Sequence, residues 1–196
     1  MKKIILASNN EHKIKEFKDI LNNYEIISLK DIGYNDDIVE DGKTFLENAT
    51  IKADTIHKFL KEKKKNYIVI SDDSGLSVDS LNGEPGIFSA RYAGVHGNNK
   101  ANRDKLIKKL KGKEKKAHFE CTIVMIYPNG EHKSFYGQTE GVIIEEEKGK
   151  TDFGYDCIFY STELNKTFGE ATEEEKNKVS HRGRAIEKLK AELDLK

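Results

Sequence analysis

The stretch "YIVISDDSGLSV", Tyr67 to Val78, runs from a buried-strand pattern straight into charge. Tyr67, Val69 and Ile70 read as a strand, and Asp72, Asp73, Ser74 and a glycine follow at once. Two adjacent acids at the end of an apolar strand cost free energy through mutual repulsion and desolvation. In α/β sheets, ligand sites gather at the carboxyl ends of strands, and hard cations such as Mg²⁺ take carboxylate oxygens. Taken alone, the stretch is open between a solvated turn and a cation site.

The rest of the chain alternates in the same way. Lys2 to Ala7 reads as a first strand, the polar "SNN" as a turn, and Glu11 to about Leu21 as a helix with Ile14, Phe17 and Leu21 on one face. "YEIISL" predicts a second strand. "VEDGKTF" is a loop into a long helix from Thr44 to Lys61, striped by Phe45, Ala49, Ile56 and Leu60. A glycine-rich loop, "LNGEPGIFSARYAG", precedes a helix over about Asn99 to Lys111. "HFECTIVMIY", "PNGE" and "HKSFYGQTEGVII" predict a hairpin, since Asn-Gly favours tight turns. "FGYDCIFY" reads as a short aromatic strand after a turn. Thr172 to Glu175 has capping-box spacing, and a last helix covers His181 to Leu193. Interleaved strands and helices with one long hairpin predict an α/β class with a mixed sheet. No linker or repeat divides the 196 residues, so residues 1–196 are expected to form a single domain.

Composition narrows the partners. The chain is 36% hydrophobic and 35% charged, with 34 basic and 34 acidic side chains that cancel. A protein that coats nucleic acid carries a basic excess, so no nucleic-acid partner is expected. "KEKKKN" and "KKLKGKEKK" read as solvated helix ends. Cys121 and Cys157 form no CxxC and cannot build a disulfide framework. The apolar run after Met1 is too short for a signal peptide, and no run approaches a membrane span. The expectation is a cytoplasmic protein without a membrane partner.

Several polar residues depart from a bland reading. Lys52 lies within the apolar stripe of the long helix, where an ammonium is either snorkelling or meant for an anion. Arg182, Ile186, Leu189 and Leu193 share one face of the last helix, so the guanidinium heads a buried stripe near a helix N-terminus, with His181 beside it. Lys13 stands in the first turn after "SNN", a strand–turn–helix geometry that suits phosphate. No GxxxxGK[ST] or GxGxxG is present. Cations from separate segments, with acids at Glu40, Asp72 and Asp73, are the opposed sets that a Mg²⁺–polyphosphate complex requires.

Five blocks, "SNNEHK", "EDGKTFLENATIKA", "SDDSGLSVDSLNGEPGIFSARYAG", "FGYDCIF" and "EKNKVSHRGRA", resemble in order and spacing the inosine triphosphate pyrophosphatase family, also described as dITP/XTP pyrophosphatases. The likeness covers nearly the whole chain. It implies Mg²⁺-dependent hydrolysis of deaminated purine nucleoside triphosphates to monophosphate and pyrophosphate. It also implies an elongated mixed sheet flanked by helices, two lobes with a cleft between them, and a homodimer. By this resemblance Ser8, Asn9, Asn10, Glu11, His12 and Lys13 form a phosphate loop. Glu40, Asp72 and Asp73 are metal-associated acids, with Asp73 the proton acceptor. Lys52 and Ser74 contact the triphosphate, Phe153, Gly154, Tyr155 and Asp156 form a base-side wall, and Lys176, His181 and Arg182 complete nucleotide binding. The family's "EETG" stands here as "VEDG", and Cys157 replaces a proline. The rivals are a Maf-like pyrophosphatase, disfavoured by "SHR" and "FGYD", and a nucleotide-binding module, for which an intact set of acids is unnecessary.

Overall fold

The computed structural model describes residues 2–195. Seven strands, β1 (Lys2–Leu6), β2 (Tyr24–Ile27), β3 (Ile68–Val78), β4 (Lys116–Ile126), β5 (His132–Ile143), β6 (Phe159–Ser161) and β7 (Lys166–Thr167), join in one sheet. Its order is β2-β1-β3-β4-β5-β6-β7. β1 is parallel to both neighbours, with Ile4 opposite Ile26 and Ile68, whereas β6 is antiparallel to β5 and β7. The sheet is therefore mixed. Among the described residues five α-helices accompany it: α1 (Glu11–Ile20), α2 (Phe45–Glu62), α3 (Asn99–Lys109), α4 (Glu173–Val179) and α5 (His181–Asp194). None among the described residues is long and apolar enough to cross a membrane.

Contacts divide the described chain into two compact units. The first takes residues 2–73, 122–136 and 185–195, the second 74–121 and 137–184. In the first, the stripe of α2 explains the core: Ala49, Ala53, Ile56 and Leu60 are buried with Ile5, Val69, Val124 and Ile126. Thr44 starts that helix by accepting from the Glu47 N–H at 3.1 Å, which satisfies one orphan donor of the first turn. In the second unit an aromatic cluster replaces the aliphatic one. The Phe159 ring lies 4.6 Å from Phe119 and 5.0 Å from Phe168, with Leu76, Val78 and Leu106 around them.

Two sequence expectations change. The third strand does not stop at Ile70: β3 runs for 11 residues, and Asp72, Asp73 and Ser74 lie inside it. β3 sits between β1 and β4; β1 pairs with it only at Ile68–Ile70, so past that point the strand runs on beside β4, and this sheet context outweighs the low strand propensity of Asp. "FGYDCIFY" is mostly turn, and only Phe159 and Tyr160 belong to a strand, because the Asp156 N–H bonds back to the Phe153 carbonyl and Gly154 takes φ +55°. The hairpin stands as expected in place, although its connection spans Tyr127 to Glu131, where the Tyr127 N–H donates to the Glu131 carbonyl at 2.9 Å.

Phe159 is fully buried in the aromatic cluster. Phe159→Ala is expected to lower the unfolding free energy by about 3–5 kcal/mol in urea denaturation; a loss under about 1 kcal/mol would show that the cluster does not hold this unit.

Candidate active site

In the first unit, α2 and β3 bring acids and lysines together. The Lys52 side chain is 10% exposed, with Nζ 2.8 Å from Glu40 Oε2 and 3.7 Å from Asp73 Oδ1. Burial pulls its pKa down, but Asp73, Asp72 and Glu40 outweigh that and hold it above the ordinary lysine value. Lys52 stays an ammonium. Burial pushes the Asp73 carboxyl up, against the opposing pull of Lys52 and Lys13. Lys13 Nζ lies 3.1 Å from Asp72 Oδ2, whose side chain is fully buried. Successive strand side chains alternate faces, so the two adjacent acids take different lysines. Of the two acids in "VEDG", Glu40 reaches Lys52 while Asp41 is exposed.

The "SNN" turn prepares α1. Asn10 accepts from the Lys13 N–H at 3.1 Å as the N-cap, and Ser8 Oγ accepts from the Asn10 N–H at 3.1 Å. Asn9 accepts instead from the Lys30 N–H at 3.0 Å, and Glu11 and His12 are exposed.

Asn48 is the residue that the sequence reading missed. It is 1% exposed, accepts from the Gly42 N–H at 2.9 Å and hydrogen-bonds the Asp73 carboxylate. It thereby ties the loop that carries Glu40 to Asp73. A signal existed, since Asn48 lies three residues after Phe45 and four before Lys52 on the buried stripe. Gly42 is needed there, because a Cβ would come within 2.7 Å of Asn48 Oδ1.

The second unit carries its own charged set. Lys176 and Asp156 are buried and paired at 2.7 Å, and the Lys176 ammonium lies 5.1 Å from the Phe153 ring centroid. Arg182, 2% exposed, donates from Nη2 to Ser74 Oγ at 2.7 Å. The buried His181 ring stacks on Phe119, centroids 4.6 Å apart and 11° between planes. Ser180 caps α5 by accepting from the Gly183 N–H at 3.0 Å. Residue 183 must be glycine, since a Cβ would stand 1.9 Å from the Asn177 carbonyl oxygen. Tyr155 faces the core, its hydroxyl donating to the Ser89 carbonyl at 2.8 Å. Cys157 is buried, and burial pushes its thiol up to about 11. Among the described residues no group of three or more His, Cys, Asp or Glu side chains is arranged to hold a metal ion.

Residues 4–192 match the Ham1 family. The chain belongs to it. A protein of Clostridium perfringens named dITP/XTP pyrophosphatase is 52% identical over 199 residues, with 98% of each chain covered. One of the same name from Bacillus subtilis is 45% identical, covering 99% of this chain and 98% of its own. Among solved structures, the Ham1 protein of Staphylococcus aureus superposes with a TM-score of 0.86 at 44% identity, covering 98% of each chain. The Ham1 match thus spans both units and every site residue described above.

Lys176→Met would leave the buried Asp156 carboxylate without its ammonium. The expected cost is about 3–5 kcal/mol in urea unfolding, with Asp156→Asn in the same chain recovering part of it. Equal losses in the single and double variants would mean that the two charges are not coupled.

Proposed function

We propose that this Ham1 chain is a nucleoside triphosphate pyrophosphatase that hydrolyses dITP, ITP and XTP to the monophosphate and pyrophosphate with Mg²⁺. The observation that carries this reading is the buried Lys52 ammonium shared by Glu40 and Asp73. The relatives named dITP/XTP pyrophosphatase supply the substrate class.

The donor set fits Mg²⁺. That ion uses one or two carboxylates together with substrate phosphate oxygens and water, and does not need an all-protein cage. Glu40 and Asp73 would hold it, with Asp72 in support through its pair with Lys13. When bound, the ion would polarise the phosphate oxygens and offset their charge.

The protein's own groups account for the remaining chemistry. Water attacks the α-phosphorus, the bond to the bridging oxygen breaks, and pyrophosphate leaves with the electron pair. Asp73 orients the water and takes its proton. Lys13 and Lys52 stabilise charge that develops on the bridging oxygen and the β-phosphate. The "SNN" turn and the N-terminus of α1 offer N–H groups to phosphate, and Ser74 offers its hydroxyl. On the base side, Phe153 stacks on the purine while Lys176 and Asp156 support it. His181 and Arg182 donate to O6 and N7 of a 6-oxo purine. Against the 6-amino group of adenine the same donors are left unpaired, which disfavours ATP. The family reading extends to a cytoplasmic homodimer with neither nucleic-acid nor membrane partners.

Pyrophosphate release is measured with dITP, ITP, XTP, ATP and GTP in Mg²⁺, and again after chelation. The expected outcome is kcat/KM for the deaminated nucleotides at least about 100-fold above that for ATP, with turnover abolished by chelator and restored by Mg²⁺. Equal turnover of ATP and ITP would sink the specificity, and no release from any nucleotide would favour a binding module. Asp73→Asn is expected to lower kcat by about 10²–10⁴-fold while circular dichroism stays native; near-normal turnover would remove Asp73 from its role.

A further inference from the structure

Arg103 belongs to none of the motifs above, yet it is one of the most buried cations in the protein, 2% exposed on α3. Its guanidinium reaches in three directions. Nε lies 2.9 Å from Glu147 Oε1, Nη2 lies 2.7 Å from Asp152 Oδ1, and Nη1 donates to the Gly154 carbonyl at 2.9 Å. These partners sit on the long connection between β5 and β6, and the last two flank Phe153 in sequence. One turn earlier on α3, Asn99 Nδ2 donates to the Asp152 carbonyl at 2.8 Å.

The backbone on both sides of Phe153 is therefore fixed from α3, and its own N–H donates to Thr151 Oγ1 at 3.1 Å. A connection of this length would otherwise be mobile. Burying a guanidinium is costly unless it is paired and hydrogen-bonded, and here Glu147 and Asp152 balance it. Only a planar fork supplies three donors in fixed directions, so a lysine cannot reproduce the arrangement.

We propose that Arg103 is a positioning residue for purine selection. It does not touch the nucleotide; it holds Phe153 and Gly154 where the base is stacked, with Asn99 as its partner on α3. The inference rests on the proposed pyrophosphatase activity and adds to it the element that sets base discrimination. Its loss loosens the base-side wall and leaves the Lys13–Asp72 and Lys52–Glu40–Asp73 groups as they are.

The test compares wild type with R103K, R103M and E147Q on dITP, dATP and ribose 5′-triphosphate, which carries no base. For R103M, KM for dITP should rise about 10-fold or more with kcat within about 2-fold, and the dITP-to-dATP ratio of kcat/KM should fall by a similar factor. Turnover of ribose 5′-triphosphate should match wild type. R103K should lie close to R103M, and E147Q between R103M and wild type. Unchanged KM and ratio in a folded variant would overturn the proposal. Equal losses on dITP and ribose 5′-triphosphate would also overturn it, because they would mean a general structural role. If R103M does not fold, R103K and E147Q decide by the same criteria. A wild type that releases no pyrophosphate would instead remove the functional reading, and this inference with it.

Discussion

The Lys52 ammonium, held by Glu40 and Asp73 within an otherwise apolar helix stripe, is the constraint on which the first unit depends. Two unit charges about 4 Å apart are worth about 4 kcal/mol at an effective dielectric constant near 20. That attraction acts only if each charge keeps its partner after leaving water. Lys52 and Lys13 allow two neighbouring strand residues to be acids, and the acids allow a lysine to stand among Ala49, Ala53 and Ile56. Asn48 fixes the geometry by binding the Gly42 N–H and Asp73 together. The cluster is thus a set of mutually dependent charges, and each member is expensive to bury alone.

The second unit solves the same problem differently. Several of its polar side chains are seated against aromatic rings. Lys176 pairs with Asp156 beside Phe153 and Phe168, and His181 lies flat on Phe119. Stacking fixes the plane of the imidazole ring, and the hydrogen bond to Ser74 fixes one end of the Arg182 guanidinium. Donors held in this way cost little further entropy when a planar ligand arrives, the general advantage of preorganisation.

Legibility in the sequence followed periodicity. The spacing of Phe45, Ala49, Lys52 and Ile56 was enough to turn Lys52 inward, and that of Arg182, Ile186, Leu189 and Leu193 did the same for α5; all eight are buried. Because Asp disfavours strands, the Asp-Asp pair left a solvated turn open as a reading, whereas the sheet carries β3 through both acids. The aromatic content of "FGYDCIFY" suggested a strand where the Gly154 backbone makes a turn. Arg103 was hidden for another reason. Its acidic partners lie 44 and 49 residues away, and α3 is largely polar, with no apolar stripe strong enough to mark an inward face. Long-range pairing of charged residues leaves no local trace. The name of the family came from ordered motifs; it did not disclose Asn48 or Arg103.

The charge arrangement of the first unit would shape how substrate enters the proposed reaction. Glu40, Asp72 and Asp73 outnumber Lys13 and Lys52, so the cluster carries one more carboxylate than it has ammonium groups. A bare triphosphate, itself strongly anionic, would meet net repulsion there. A divalent cation would offset that excess carboxylate and the phosphate charge. The excess acid would thus suit a cation at this cluster. On this view the lysines serve two purposes in turn. Before substrate enters, they pair with the acids. In the proposed reaction they would then face phosphate oxygens.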